Sequence, residues 1–167
     1  IRDSDKRTYN DTTDMSVMLR AEAQLDQLFH NIVTSLNDIL CPNVAASEYI
    51  TGLAGGGSVT MTGVGGTTYT VDKNTLILDM DNCSVGADGS LPPQELFSRI
   101  GTDRYTEVSY TDPATGEAKT YYIYNEEDPT DGTKQYTMRS VSVNDALVLD
   151  ETVLPHLKQN GDVDLSL

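Results

Sequence analysis

Several residue types are scarce in this sequence, and each scarcity removes a class of protein. Among its 167 residues there is no tryptophan, and phenylalanine and cysteine each occur only twice. Cys41 and Cys83 are too few for a disulfide framework and lack the spacing of a zinc site. The sequence leaves open a single bridge between them or two free, half-buried thiols, and we favour the free thiols.

Basic residues are scarce as well. Lysine and arginine number 11 against 26 acidic residues, for a net charge of −15. A nucleic-acid-binding protein neutralises phosphates with lysine and arginine. The phosphate backbone of a nucleic acid would instead repel this acidic chain. No apolar run approaches the roughly 20 residues that span a bilayer. We therefore expect a soluble protein with no nucleic-acid or membrane partner.

The beginning of the chain carries no signal peptide and no initiating methionine. We expect the sequence to be a piece of a longer protein.

The clearest pattern lies between residues 11 and 40, where apolar residues recur at alternating steps of three and four. This spacing predicts a long amphipathic helix with Asp11 as its N-cap and Pro42 just beyond its end. The apolar stripe, called the seam below, consists of Met18, Leu25, Phe29, Ile32, Leu36 and Ile39. Such a seam packs on another helix, and no comparable helix follows, so its partner is expected to lie outside this sequence.

Strand patterns and turn residues fill the middle of the chain. A glycine-rich stretch within 43–66 predicts a hinge, and alternating residues on either side of Gly65-Gly66 predict a hairpin. Further strands are predicted at 75–79, 105–110, 119–124 and 135–143, with a short helix at 91–97. The predicted fold is α+β: a long N-terminal helix (part of 1–46), an antiparallel β module (47–137) and a return segment (138–167), elongated overall.

Residues that often carry chemistry are present without the spacing that chemistry needs. The acidic run at 79–88 has Cys83 and Ser84 where a calcium loop needs a ligand and a glycine. His30 and His156 have no carboxylate or cysteine at ligand spacing. Gly55-Gly56-Gly57 precedes no phosphate-binding helix. We predict a protein that is not an enzyme and has no cofactor, although a weak surface calcium site stays open.

Two segments resemble one family. Residues 25–40 read Leu-Asp-Gln-Leu-Phe-His-Asn-Ile-Val-Thr-Ser-Leu-Asn-Asp-Ile-Leu, and residues 141–150 read Val-Ser-Val-Asn-Asp-Ala-Leu-Val-Leu-Asp. They resemble the long helix and the re-entry segment of flagellar hook-associated protein 1, the hook–filament junction family, as does Gly161-Asp162. The resemblance covers roughly residues 15–42 and 138–165.

This resemblance implies a structural role without an active site. It implies secretion through the flagellar export apparatus, and an extracellular ring of copies of the chain between hook and filament. The implied partners are other copies, the hook protein, other hook-associated proteins and an export chaperone for the full-length chain. The seam would contribute to helix packing in that assembly, and the β module would face the medium.

Two other functions remain open on the residues alone. An acidic surface and tyrosine-bearing strands also suit an extracellular carbohydrate- or calcium-binding β module on a helical stalk. A hydrolase would need two carboxyl groups about 5–9 Å apart across a cleft.

Overall fold

A long helix opens the fold, followed by an antiparallel sheet. The computed structural model describes residues 17–167 with their side chains and residues 3–16 by their backbone only. Helix α1 (Asp3–Leu40) ends just before Pro42, as predicted, but it begins earlier than residue 11. No glycine or proline interrupts residues 3–40, so nothing in the sequence stops the helix there. The Asp11 side chain, predicted as the N-cap, lies outside the described residues.

The β module is built around one six-stranded antiparallel sheet, which confirms the predicted α+β class. Its strands are β1 (Asn43–Ala45), β2 (Ser58–Gly63), β3 (Thr68–Asp72), β4 (Leu76–Leu78), β6 (Tyr105–Thr111) and β7 (Ala118–Tyr124). Their order across the sheet is β1-β4-β7-β6-β2-β3. The predicted β2–β3 hairpin is confirmed, and the predicted strands β6 and β7 pair in a second hairpin. Gly65 and Gly66, both with positive φ, form the first turn.

A second, two-stranded sheet pairs β5 (Phe97–Arg99) with β8 (Val141–Val143). The predicted short helix at 91–97 is therefore wrong. Phe97 is held extended because it lies opposite Val143 of β8 and its backbone bonds to the side chain of Asn37. The predicted strand at 135–143 shrinks to the three residues of β8, since residues 135–140 turn back on themselves around Ser140.

The six-stranded sheet carries a hydrophobic cluster on each face, one around Ile77 and the opposite one around Leu78 and Tyr122. In the first cluster Ala46, Ile50 and Leu53 pack against Met61 and Ile77, and all five are almost fully buried. The predicted hinge is therefore wrong for residues 46–53, because this segment contributes side chains to the core. The glycines that follow it, Gly55, Gly56 and Gly57, are exposed.

The end of the chain folds back over the loop after β4. Asn144 caps helix α2 (Asp145–Leu149), its side chain accepting a bond from the Ala146 N–H. The backbone of Leu157 then bonds to that of Val85 in both directions. Gly86 makes this approach possible, since a Cβ there would lie 2.6 Å from the backbone of Val153.

Candidate functional site: the helix seam, the junction cluster and the Glu95 groove

The predicted seam lies along one side of α1, and most of it is exposed. At 100° per residue its six positions fall within about 40° of a single line. Met18 is 74% exposed and Ile39 54%, and Leu25, Ile32 and Leu36 are exposed as well. Phe29 is half-buried. The described part of the chain thus leaves an apolar helix face without a cover.

A neighbouring face of α1 packs on the β module. Val33, Asn37 and Cys41 are almost completely buried and follow one another at four-residue steps. They therefore share one side of the helix, roughly 120° around from the seam. Because the two faces are separate, the helix attaches to its own module while five of the six seam side chains stay exposed.

Three polar contacts join α1 to the rest of the chain at intervals of eight residues. Glu22 accepts from Arg139 at 3.0 Å, near the start of the described side chains. His30 Nε2 lies 2.8 Å from Glu127, and Asp38 lies 2.6 Å from Arg104. The contacts thus run along about 24 Å of helix, at 1.5 Å per residue.

The innermost contacts form a polar group at the end of α1, here called the junction cluster: Asn37, Asp38, Glu95, Arg104 and Tyr136. Oε2 of Glu95 accepts from the Tyr136 hydroxyl at 2.6 Å and from Nδ2 of Asn37 at 3.1 Å. Arg104 donates to Asp38 and to the Cys41 carbonyl, and Nη1 lies 3.7 Å from Glu95. The helix end is thereby bonded at several points to the module.

Burial dominates the electrostatics of the junction cluster. It raises the pKa of the Glu95 carboxyl, while the Tyr136 hydroxyl and the Arg104 guanidinium lower it in part. Burial also raises the pKa of the Tyr136 hydroxyl, so that it stays a hydrogen-bond donor. Glu95 and Arg104 are each only 5% exposed. Removing one member of such a pair typically costs about 3–5 kcal/mol, because its partner is left charged and buried.

The outer side of the same carboxylate borders a groove of about 610 Å³, here called the Glu95 groove. Pro92 and Pro93 line it on one side, and Tyr69 and Tyr122 are among its aromatic residues. Three exposed carboxylates belong to the lining: Asp103, Glu107 and Asp145. Together with Glu95, these side chains make the lining of the groove acidic.

The remaining chemistry-bearing residues fall as follows. His156 is exposed and lies within bonding distance of the Leu154 carbonyl. Cys41 and Cys83 are both free thiols, as favoured from the sequence, but they are buried rather than half-buried. Among the described residues, no three His, Cys, Asp or Glu side chains converge to hold a metal ion. None of the described helices has the length and apolarity to cross a membrane.

The junction cluster could not be predicted from the sequence. Its members are up to 99 positions apart, and nothing in the sequence alone pairs them. The sequence carries one signal of the cluster, because Asn37 and Asp38 are polar residues in the last turn of an otherwise apolar helix end. In the structure Asn37 is fully buried.

Comparisons with protein-family models, with curated proteins and with solved structures found no match for this chain.

Proposed function

We propose that this chain belongs to a structural subunit of the bacterial flagellum, the junction subunit between hook and filament. In this role it is secreted, assembles with other copies into a ring outside the cell, and is required for filament assembly and motility. The observation that carries the proposal is the exposed seam of α1, since a row of apolar side chains at heptad-like spacing is the surface that helices use to associate.

The course of the chain after the β module supports the same role. Residues 141–143 pair with β5, whose Phe97 is bonded to Asn37 of α1, and Arg139 contacts Glu22. The segment that resembles the family's re-entry into its helical domain thus returns to the side of α1. Such an insertion leaves the helix free to assemble while the acidic module projects into the medium.

The proposed partners are other copies of the chain, the hook protein and other hook-associated proteins, with an export chaperone for the full-length protein. The seam is proposed as the helix-packing surface in this assembly. The half-buried Phe29 would lie between the module and the incoming helix, whereas the other five side chains are free to be covered.

The test uses the full-length gene and two variants that differ only in the face of α1 they change. Leu25→Asp with Ile32→Asp places charge on the seam, whereas Gln27→Asp with Asn31→Asp places the same added charge on exposed polar positions of the same helix. A gene deletion is expected to leave hooks without filaments. Wild type and the Gln27/Asn31 variant should restore swimming, and the seam variant should not.

Immunogold labelling with antibodies to this chain locates the protein directly. Gold at the hook–filament boundary is the expected result. Label spread over the cell surface together with normal swimming of the deletion strain would overturn the proposal, and would favour an extracellular carbohydrate- or calcium-binding module. Full swimming of the seam variant would remove the seam from the assembly interface.

A further inference from the structure

One oxygen of the junction cluster has no partner in the interior. Oε2 of Glu95 accepts two hydrogen bonds, from Asn37 and from Tyr136, but Oε1 accepts none from any described residue. The one described side-chain polar atom that is both enclosed and unbonded is Nε of Arg99. Oε1 of Glu95 is therefore not sealed in, and Glu95 lines the Glu95 groove.

The groove lining as a whole is acidic, although the charges that act most strongly on Glu95 itself are the guanidinium groups of Arg104 and Arg99. Glu95 shares the groove with Asp103, Glu107 and Asp145, against a single guanidinium, that of Arg104. That guanidinium is already 2.6 Å from Asp38 and bonded to the Cys41 carbonyl. A concave, partly desolvated surface concentrates such a field and attracts ligands of the opposite charge.

The geometry distinguishes among cations. A metal ion needs several converging oxygens, and no three acidic side chains converge among the described residues. A guanidinium is best bound by both oxygens of one carboxylate, but Oε2 of Glu95 is occupied. An ammonium group is a compact charge that one open oxygen can bind.

The rest of the groove suits the carbon chain that an ammonium group carries. Pro92 and Pro93 provide an apolar wall for methylene groups. Half-buried Tyr69 also lines the groove, and aromatic rings attract alkylammonium groups. The carboxylates of Glu107 and Asp145 are positioned to attract a second positive charge.

We propose that the Glu95 groove binds an extended alkylammonium ligand, with Oε1 of Glu95 accepting a hydrogen bond from its ammonium group. The ammonium belongs either to a free polyamine or to lysine side chains of a neighbouring protein. This binding does not depend on the proposed place of the chain in the flagellum.

Calorimetric titration of the 167-residue chain with spermidine, and separately with an end-blocked lysine tripeptide, tests the proposal. Saturable binding that weakens with added salt is expected for at least one probe. Tighter binding of spermidine identifies a free polyamine as the ligand, and tighter binding of the peptide identifies lysine side chains. Absence of saturable binding by both probes at low salt overturns the proposal.

The decisive variant is Glu95→Gln, because glutamine keeps an oxygen for Tyr136 and Asn37 but presents an amide without charge to the groove. It should weaken binding at least tenfold. Glu48→Gln, which removes an exposed charge outside the groove, should change it less than twofold. Equal binding by the two variants would show diffuse charge attraction and overturn the site.

Circular dichroism establishes whether Glu95→Gln is folded. If it is not, the exposed positions Glu107→Gln and Asp145→Asn carry the test, since neither side chain belongs to the junction cluster. Each is expected to weaken binding about threefold to fivefold. Affinities equal to that of Glu48→Gln would overturn the proposal in the same way.

Discussion

The side-chain amide of Asn37 pairs with the backbone of Phe97 as a neighbouring strand would. Its Nδ2 donates to the Phe97 carbonyl at 2.7 Å, and its Oδ1 accepts from the Phe97 N–H at 3.1 Å. A helix side chain thereby completes the hydrogen bonding of a strand. The same Nδ2 also reaches Glu95, so one residue joins α1, β5 and the junction cluster.

Asn37→Ala is expected to lower the free energy of unfolding by about 2–4 kcal/mol. The substitution leaves two backbone groups of Phe97 without a partner and removes one of the two hydrogen bonds to Oε2 of Glu95. Each buried group left unpaired costs about 1–3 kcal/mol before relaxation. Urea unfolding followed by circular dichroism measures the change. Asn31→Ala, at an exposed position of the same helix, is the control and should stay within about 0.5 kcal/mol of wild type.

Adjacent residues of α1 should respond in opposite ways to substitution. Val33 is 1% exposed and Ile32 is 51% exposed. Val33→Ala should cost about 2 kcal/mol in unfolding free energy, because two buried methyl groups are removed. Ile32→Ala should change it by less than about 0.5 kcal/mol. Equal losses at the two positions would mean that the helix packs on the module through the seam.

The seam also predicts the association behaviour of the isolated chain. Sedimentation equilibrium should find the isolated chain monomeric or weakly self-associating. An exposed apolar stripe favours association, but stable association requires a partner helix that covers the stripe. Leu25→Asp with Ile32→Asp should abolish any association without changing the unfolding free energy. Association that persists in this variant would place the contact on another surface.

The parts of the fold that the sequence predicts are those with local causes. Pro42 ends α1, Gly65-Gly66 and the turn before Gly116 close the hairpins, and Asn144 caps α2. The predictions fail where residues distant in the sequence determine the local structure. Phe97 is extended because of its bonds to Asn37, 60 positions away. Residues 46–53 do not form the predicted hinge, because their apolar side chains are buried against the sheet.

The candidate sites divide in the same manner. The seam can be read from spacing alone, because helical periodicity places its members on one side. The Glu95 groove cannot, because Pro92, Asp103 and Asp145 are brought together only by the pairing of β5 with β8 and of β6 with β7.

Both thiols should react slowly in the folded protein. Burial raises the pKa of Cys41 to about 12 and that of Cys83 to about 11, from 9.0. Because the thiolate is the reactive form, alkylation by iodoacetamide at pH 8 should be roughly a hundredfold slower at Cys83, and roughly a thousandfold slower at Cys41, than at an unperturbed cysteine. Mass spectrometry of Cys41→Ser and Cys83→Ser separates the two rates. Rapid labelling of either without urea would contradict the buried environment.

The stability of the chain should depend on Asp164 at low pH. Hydrogen bonds from the hydroxyls of Ser166 and Ser84 lower the pKa of Asp164 from 3.8 to about 2. A carboxyl whose folded pKa is depressed stabilises the fold above its unfolded pKa, and this contribution is lost as the pH falls from about 4 to about 2.

Thermal unfolding between pH 5 and pH 2 measures this contribution. The melting temperature of Asp164→Asn should fall less steeply than that of wild type over the lower half of this range. Ser84→Ala, which removes one of the two hydroxyl donors, should give an intermediate slope. Superimposable profiles for wild type and Asp164→Asn would contradict the assignment.

The order of strands in the large sheet has a consequence for variation of the chain. The β2–β3 hairpin forms one edge of the sheet, while β1, which directly follows α1, forms the other. The Gly65-Gly66 turn is exposed, and a Cβ at either glycine would meet no atom within 4 Å. Length can therefore be added at this turn without disturbing α1, the junction cluster or the seam. Insertions at this edge can change the exposed surface of the module while α1 keeps its geometry.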